Sequence, residues 1–95
     1  MAFSLFVTGD QQKNAAVIRN ITKLCSKEIP DNFDLSVIDI LENPEIVKTE
    51  KILVTPTLIK KSPLPVVRVV GDFSSPRKIS GLFRQIKMTS KIKLN

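Results

Sequence analysis

The chain has 95 residues, one cysteine, five Phe as its only aromatic side chains, and no histidine. That length supports one core and hence a single domain, 1–95; a lone cysteine excludes an internal disulfide, and the missing histidine removes the commonest general base and metal ligand together. The net charge of +6 is lopsided: residues 1–50 carry 5 basic and 8 acidic side chains, a sum of −3, whereas residues 51–95 carry 10 basic side chains against Asp72 alone, a sum of +9.

Such asymmetry offers a basic surface to an acidic partner or to nucleic acid. No apolar run reaches the roughly 18 residues that a membrane-spanning helix needs. Residues 1–6 lack the basic start and long apolar centre of a signal peptide. A cytoplasmic protein without membrane contact is the expectation.

Residues 3–8 are rich in Phe and β-branched side chains and end at Gly9-Asp10, which reads as a buried first strand and a turn. Asp10 is a candidate N-cap for a helix running from Gln11 to about Glu28. Within it Val17, Ile18, Ile21, Leu24 and Cys25 form one apolar stripe at three- and four-residue spacing. Arg19, Lys23 and Lys27 recur every fourth residue on another face. Cys25, on the stripe, reads as a buried and inert thiol.

Residues 34–40 read as a second strand with Leu35, Val37 and Asp39 on one face. Asn43-Pro44 resembles an N-cap followed by proline at the first helical position, which predicts a short helix over 44–50. The run Lys51-Ile52-Leu53-Val54-Thr55-Pro56-Thr57-Leu58-Ile59-Lys60 then organises the chain. Proline cannot donate to a ladder and holds its predecessor extended, so Pro56 marks a bend into a third strand beginning at Thr57.

Lys61-Ser62-Pro63-Leu64-Pro65 is expected to be a turn stiffened by its prolines. Residues 66–70 form the most β-branched segment, a fourth strand closed by Gly71-Asp72. Ser74-Ser75-Pro76 opens a last helix, in which Ile79, Leu82, Phe83 and Ile86 make a core-facing stripe while Arg77, Lys78, Arg84 and Lys87 point elsewhere. Residues 89–95 are a basic tail, expected to fray.

The order β-α-β-α-β-β-α predicts an α/β protein with a four-stranded mixed sheet, best satisfied by a thioredoxin-like arrangement. That fold carries a cis proline just before its third strand, where Pro56 falls. Its redox members need Cys-x-x-Cys at the start of the first helix. Gly9-Asp10-Gln11-Gln12-Lys13 stands there without a thiol. No Cys, His and carboxylate cluster has metal-ligand spacing, and none of the three glycines builds a phosphate loop. The sequence thus predicts no catalytic residue, no cofactor and no metal. Five Phe at apolar spacing read as core rather than stacking platforms, which disfavours nucleic acid.

Several blocks at consistent spacing carry a resemblance. They are Val37-Ile38-Asp39-Ile40-Leu41-Glu42-Asn43-Pro44, then Lys51 to Leu58, the Pro63/Pro65 turn, Val66, Arg68 and Gly71-Asp72-Phe73-Ser74. Over about residues 3–86 the chain resembles the circadian clock protein KaiB family. The resemblance implies a non-enzymatic regulator that binds a KaiC-like ATPase ring and modulates its phosphorylation or signalling state, and a likeness to the sensor domain of a KaiC-responsive histidine kinase; the alternative is a basic module that binds nucleic acid or another signalling protein such as a histidine kinase. It also implies a homo-oligomer, dimer or tetramer, and two folds, a thioredoxin-like binding state and a ground state with a rearranged C-terminal half. Lys51, Lys60 and Arg68 match basic positions there and are expected to bind the partner. Pro63, Pro65 and Gly71 are hinge candidates, with Asp72 beside them. Leu82 and Arg84 replace a Gly and an acidic residue of clock-type members, and as better helix formers they favour the thioredoxin-like state.

Overall fold

The computed structural model describes residues 1–29, 32–71, 73, 75, 77–81 and 84. Strand β1 (Ala2–Val7) is followed by helix α1 (Ala15–Glu28), strand β2 (Asp34–Asp39), helix α2 (Pro44–Glu50), and strands β3 (Thr57–Ser62) and β4 (Val67–Val70). Residues 77–81 and 84 are helical and close the described chain. The four strands form one sheet in the order β2-β1-β3-β4. β1 and β2 are parallel, with Leu5 opposite Val37, while β3 is antiparallel both to β1 and to β4. Parallel neighbours need a long crossover, and α1 supplies it.

Alternation along the strands separates two faces. Phe3, Leu5 and Val7 of β1 pack with Ile21, Leu24 and Cys25 of α1, with Leu58 and Val69, and with Phe73 and Ile79 near the closing helical segment. Phe6 and Ile59 point the other way, where Ile52 joins them under Ile46 and Val47 of α2. The sheet is therefore covered by α1 and the closing segment on one side and by the shorter α2 on the other. Among the described residues no helix is long and apolar enough to cross a membrane.

The expected stripe on α1 is the observed one, with Ile21, Leu24 and Cys25 buried and Val17 and Ile18 half-buried against the same core. The helix begins four residues later than expected. Asp10 caps a separate turn instead: its carboxylate accepts the Lys13 N–H at 2.8 Å, and its carbonyl accepts from the backbone and side chain of Asn14. Gly9 precedes this turn at φ +99°, a conformation that L side chains avoid. Asn43 does occupy the N-cap position of α2 with Pro44 behind it, yet its side chain makes no capping bond. Its amide donates to the Asp39 carbonyl instead.

Two further expectations need correction. β3 extends to Ser62, because Lys60 and Ser62 find partners in Phe3 and Ala2 across a bulge at Lys61; Lys61 and Ser62 are strand, not turn. Lys60 follows Leu58 on the α1 side of the sheet and is fully buried. Pro56, Pro63 and Pro65 all follow cis peptide bonds. Asp72, Leu82, Phe83, Ile86, Lys87 and the basic tail lie outside the described residues.

A candidate partner-binding surface

The Lys51–Thr57 segment is held at both ends. Lys51 ends α2 in the left-handed region, φ 53° and ψ 54°, with its N–H returned to the last turn of the helix. Ile52 then donates to the Val47 carbonyl at 3.0 Å and buries its side chain in the α2-side core. Leu53 and Val54 swing outward, Leu53 being 93% exposed. The bend closes through the Thr57 hydroxyl, which donates to the Val54 carbonyl at 2.6 Å. Thr55 and Thr8 share a hydrogen bond between hydroxyls at 2.7 Å, which ties the bend to the end of β1.

Edge strand β4 braces the same segment. Arg68 donates from its two terminal nitrogens to the carbonyls of Lys51 and Glu50, at 3.2 and 2.6 Å. Those carbonyls end α2, where the helix dipole favours a cation. Glu50 is ion-paired to Lys61 of β3. The result is an open groove of about 230 Å3 lined by Lys51, Leu53, Val54, Thr57, Arg68 and Val70. Its walls are apolar, its rim is basic, and it runs beside an edge strand.

Of the three basic residues expected at a partner surface, the structure brings Lys51 and Arg68 together and exposes both. Lys60 is separated from them by the thickness of the sheet and reaches no surface. Period-two alternation from Leu58 carries the signal that its side chain points inward. Sequence reasoning did not single out Leu53, Val54 and Val70; three exposed apolar side chains side by side emerge only once the bend and the edge strand meet. Pro63, Pro65 and Gly71 bracket β4.

Asp39 holds the opposite end of this region. One of its carboxylate oxygens accepts the N–H groups of Gly9 at 2.9 Å and of Leu41 at 3.0 Å, so it orders the loops after β1 and β2 together. Beyond them a cleft of about 170 Å3 is lined by Thr8, Ile40, Ile52, Leu53, Val54 and Thr55. This is where a redox protein of this topology would place its thiols. The cysteine of the chain is elsewhere: Cys25 is buried in α1, and burial pushes its thiol up to about 12, the N-terminal ammonium opposing the shift slightly. A thiol so placed is protonated at neutral pH and a poor nucleophile.

Comparison with known proteins agrees with this architecture. Residues 4–84 match the KaiB domain family. The circadian clock protein KaiB3 of Synechocystis sp. is 40% identical over 75 residues, covering 79% of this chain and 74% of the relative. The circadian clock oscillator protein KaiB of Thermostichus vulcanus is 37% identical over 75 residues, 79% of this chain and 69% of the relative. Among solved structures, the N-terminal domain of Synechococcus elongatus SasA superposes with a TM-score of 0.71 at 19% identity, over 93% of this chain and 83% of that one. Thioredoxin 1 of Thermosipho africanus superposes with the same TM-score at 22% identity over the whole of both chains. The fold is thioredoxin-like, and the chain belongs to the KaiB family.

Proposed function

We propose that this protein is a non-catalytic cytoplasmic regulator that binds a KaiC-like ATPase ring and alters its phosphorylation or signalling state. The observation that supports it most directly is the groove of Leu53, Val54 and Val70 rimmed by Lys51 and Arg68, all within the residues 4–84 that match the family. Apolar side chains left in water beside an unpaired strand edge are poorly explained by the needs of a lone domain. Covered by a partner, they supply the apolar centre of an interface, and the two cations supply its rim. A basic rim also speeds association with an acidic surface and loses that effect in salt.

Size-exclusion chromatography with light scattering, run with the cognate ATPase and ATP, tests the reading. A complex is expected, and the double variant Lys51→Glu, Arg68→Glu is expected to weaken it while the domain remains folded. Unchanged binding by that variant would remove the two residues from the interface. Indifference to the ATPase together with co-elution with random DNA would replace this reading by that of a basic nucleic-acid module. The same chromatogram reports whether the free protein is a monomer, dimer or tetramer.

A further inference from the structure

On the other side of the sheet, α1 and the closing helical segment leave a cleft of about 340 Å3 between them. Its lining is Asn20, Lys23, Leu24 and Lys27 from α1, with Arg77 and Ser80 facing them. The α1 residues stand at i, i+3, i+4 and i+7, so they form the strip that a helix presents to its neighbour. Such a strip is ordinarily apolar. Here only Leu24 is, and it is buried as the floor. Three cations converge above it, and among the described residues no carboxylate lines the cleft.

We propose that this cleft binds a phosphoryl-bearing anion of nucleotide size. Lys23, Lys27 and Arg77 make no ion pair or hydrogen bond among the described residues. Lys23 and Lys27 are like charges one turn apart, an arrangement that repels until an anion joins it. Glu28 has interactions of its own and does not line the cleft. Asn20 donates to the Phe73 carbonyl at 3.1 Å and so pins α1 to the segment that follows β4, fixing one end of the cleft.

The chemistry of the lining selects the ligand class. Arg77 presents the planar fork that matches two phosphoryl oxygens, the lysines act as mobile point charges, and the Ser80 hydroxyl can donate a further bond. Leu24 and the methylene stems of the lysines give a flat apolar group a place to rest. The volume lies at the small end of the roughly 300–1,000 Å3 that small-molecule sites occupy. A compact cleft with its three cations around one space suits a small polyanion better than a strand of nucleic acid, which needs a charged track with stacking platforms. Phe3, Phe6 and Phe73, which could have served as platforms, are buried in the core. The site lies across the sheet from Lys51 and Arg68, so it stands independently of the partner surface.

The test is an amide chemical-shift titration of the full chain with ATP and, in a separate arm, with inorganic pyrophosphate at low salt. Shifts are expected at residues 20–27 and 77–80 in both arms. Tighter binding of ATP identifies a nucleotide, and equal binding identifies the phosphoryl group alone as the recognised element. The triple variant Lys23→Gln, Lys27→Gln, Arg77→Gln should bind about tenfold or more weakly, because charge-assisted hydrogen bonds are lost. The Lys51→Glu, Arg68→Glu variant should bind as the parent does. Circular dichroism confirms that both variants are folded. No shift at millimolar probe, shifts gathered around Lys51 and Arg68, or undiminished binding by the triple variant would each overturn the proposal.

Discussion

The two sides of the sheet solve different problems with similar material. On the α1 side, eleven of the described residues, from β1, α1 and its C-cap, β3, β4 and the chain after it, form one continuous buried cluster. On the α2 side the buried apolar cluster among the described residues is Phe6, Ile52 and Ile59, with the Thr57 side chain beside it, and α2 contributes no buried residue. The helices explain the contrast: fourteen residues of α1 cover the sheet where seven of α2 do not. Burial is worth roughly 25 cal/mol per Å2 of apolar surface, so stability gathers on the α1 side. The α2 side keeps Leu53, Val54 and Val70 in water. A face that is thinly covered and bordered by the open edge of a strand is the one with apolar area to give to a partner.

The largest effect that could break this comparison is a pair of core truncations. Leu5 sits in a central strand and has no exposed surface. Leu5→Ala is expected to cost about 3–5 kcal/mol, the upper part of the range for a buried leucine that leaves a cavity. Ile52→Ala, in the smaller cluster beside open solvent, is expected to cost about 2 kcal/mol because its surroundings can relax. Urea unfolding of the two variants gives both numbers. Equal losses would show that the two sides share the load.

A second test uses the thiol inside the thicker core. The Cys25 thiol is raised by burial from 9.0 to about 12. In the unfolded chain it ionises from pH 9 upward, while the folded chain retains the proton. The unfolded state then holds fewer protons, so stability falls as pH rises from 9 toward 12, by at most about 1.4 kcal/mol per pH unit. Below pH 9 the group contributes no slope. Urea midpoints of the parent and of Cys25→Ala, measured from pH 9 to 10.5, should diverge, with the parent losing stability more steeply. Every other side chain is common to both proteins, so the difference isolates the thiol. Parallel slopes would mean that Cys25 is not held in an apolar interior.

How far the sequence disclosed this arrangement depends on the range of the interactions involved. Period and punctuation were enough for β1, β2, α2 and β4, and for the α1 stripe, since each is written in local spacing. The proline bend was legible because Pro56 constrains its own backbone and that of Thr55. The start of α1 was not, because an Asp followed by polar residues can cap a helix or close a lone turn; Asp10 does the latter. Lys60 misled through its charge, although alternation from Leu58 pointed inward. The groove and the basic cleft were each assembled from segments distant in sequence. Lys51 meets Arg68 through carbonyls that carry no side-chain signature, and Lys23 and Lys27 read as a solvated face until Arg77 is placed opposite. The helix preference argued from Leu82 and Arg84 rests partly outside the described residues; Arg84 itself is helical.

The smallest changes in stability belong to the groove, and they sharpen the comparison because binding should not follow stability there. Arg68→Ala removes two bonds to the end of α2 at an exposed position, which is expected to cost about 0.5–1 kcal/mol. Leu53→Ser should be nearly silent, within about 0.5 kcal/mol, since a side chain 93% exposed contributes little to the folded domain. Affinity is a different matter. If Leu53 enters the interface with the ATPase, its burial there is worth about 1.5–3 kcal/mol, and the serine variant should bind at least about tenfold more weakly. Leu5→Ala provides the opposite profile: a large loss of stability and, at a temperature where it is still folded, an intact groove. A titration of each variant against the ATPase, beside its urea curve, separates the two sides. Leu53→Ser that binds like the parent would place the interface elsewhere. Leu53→Ser that unfolds like Leu5→Ala would show that the exposed leucine is covered in the free protein, by a second copy of the chain.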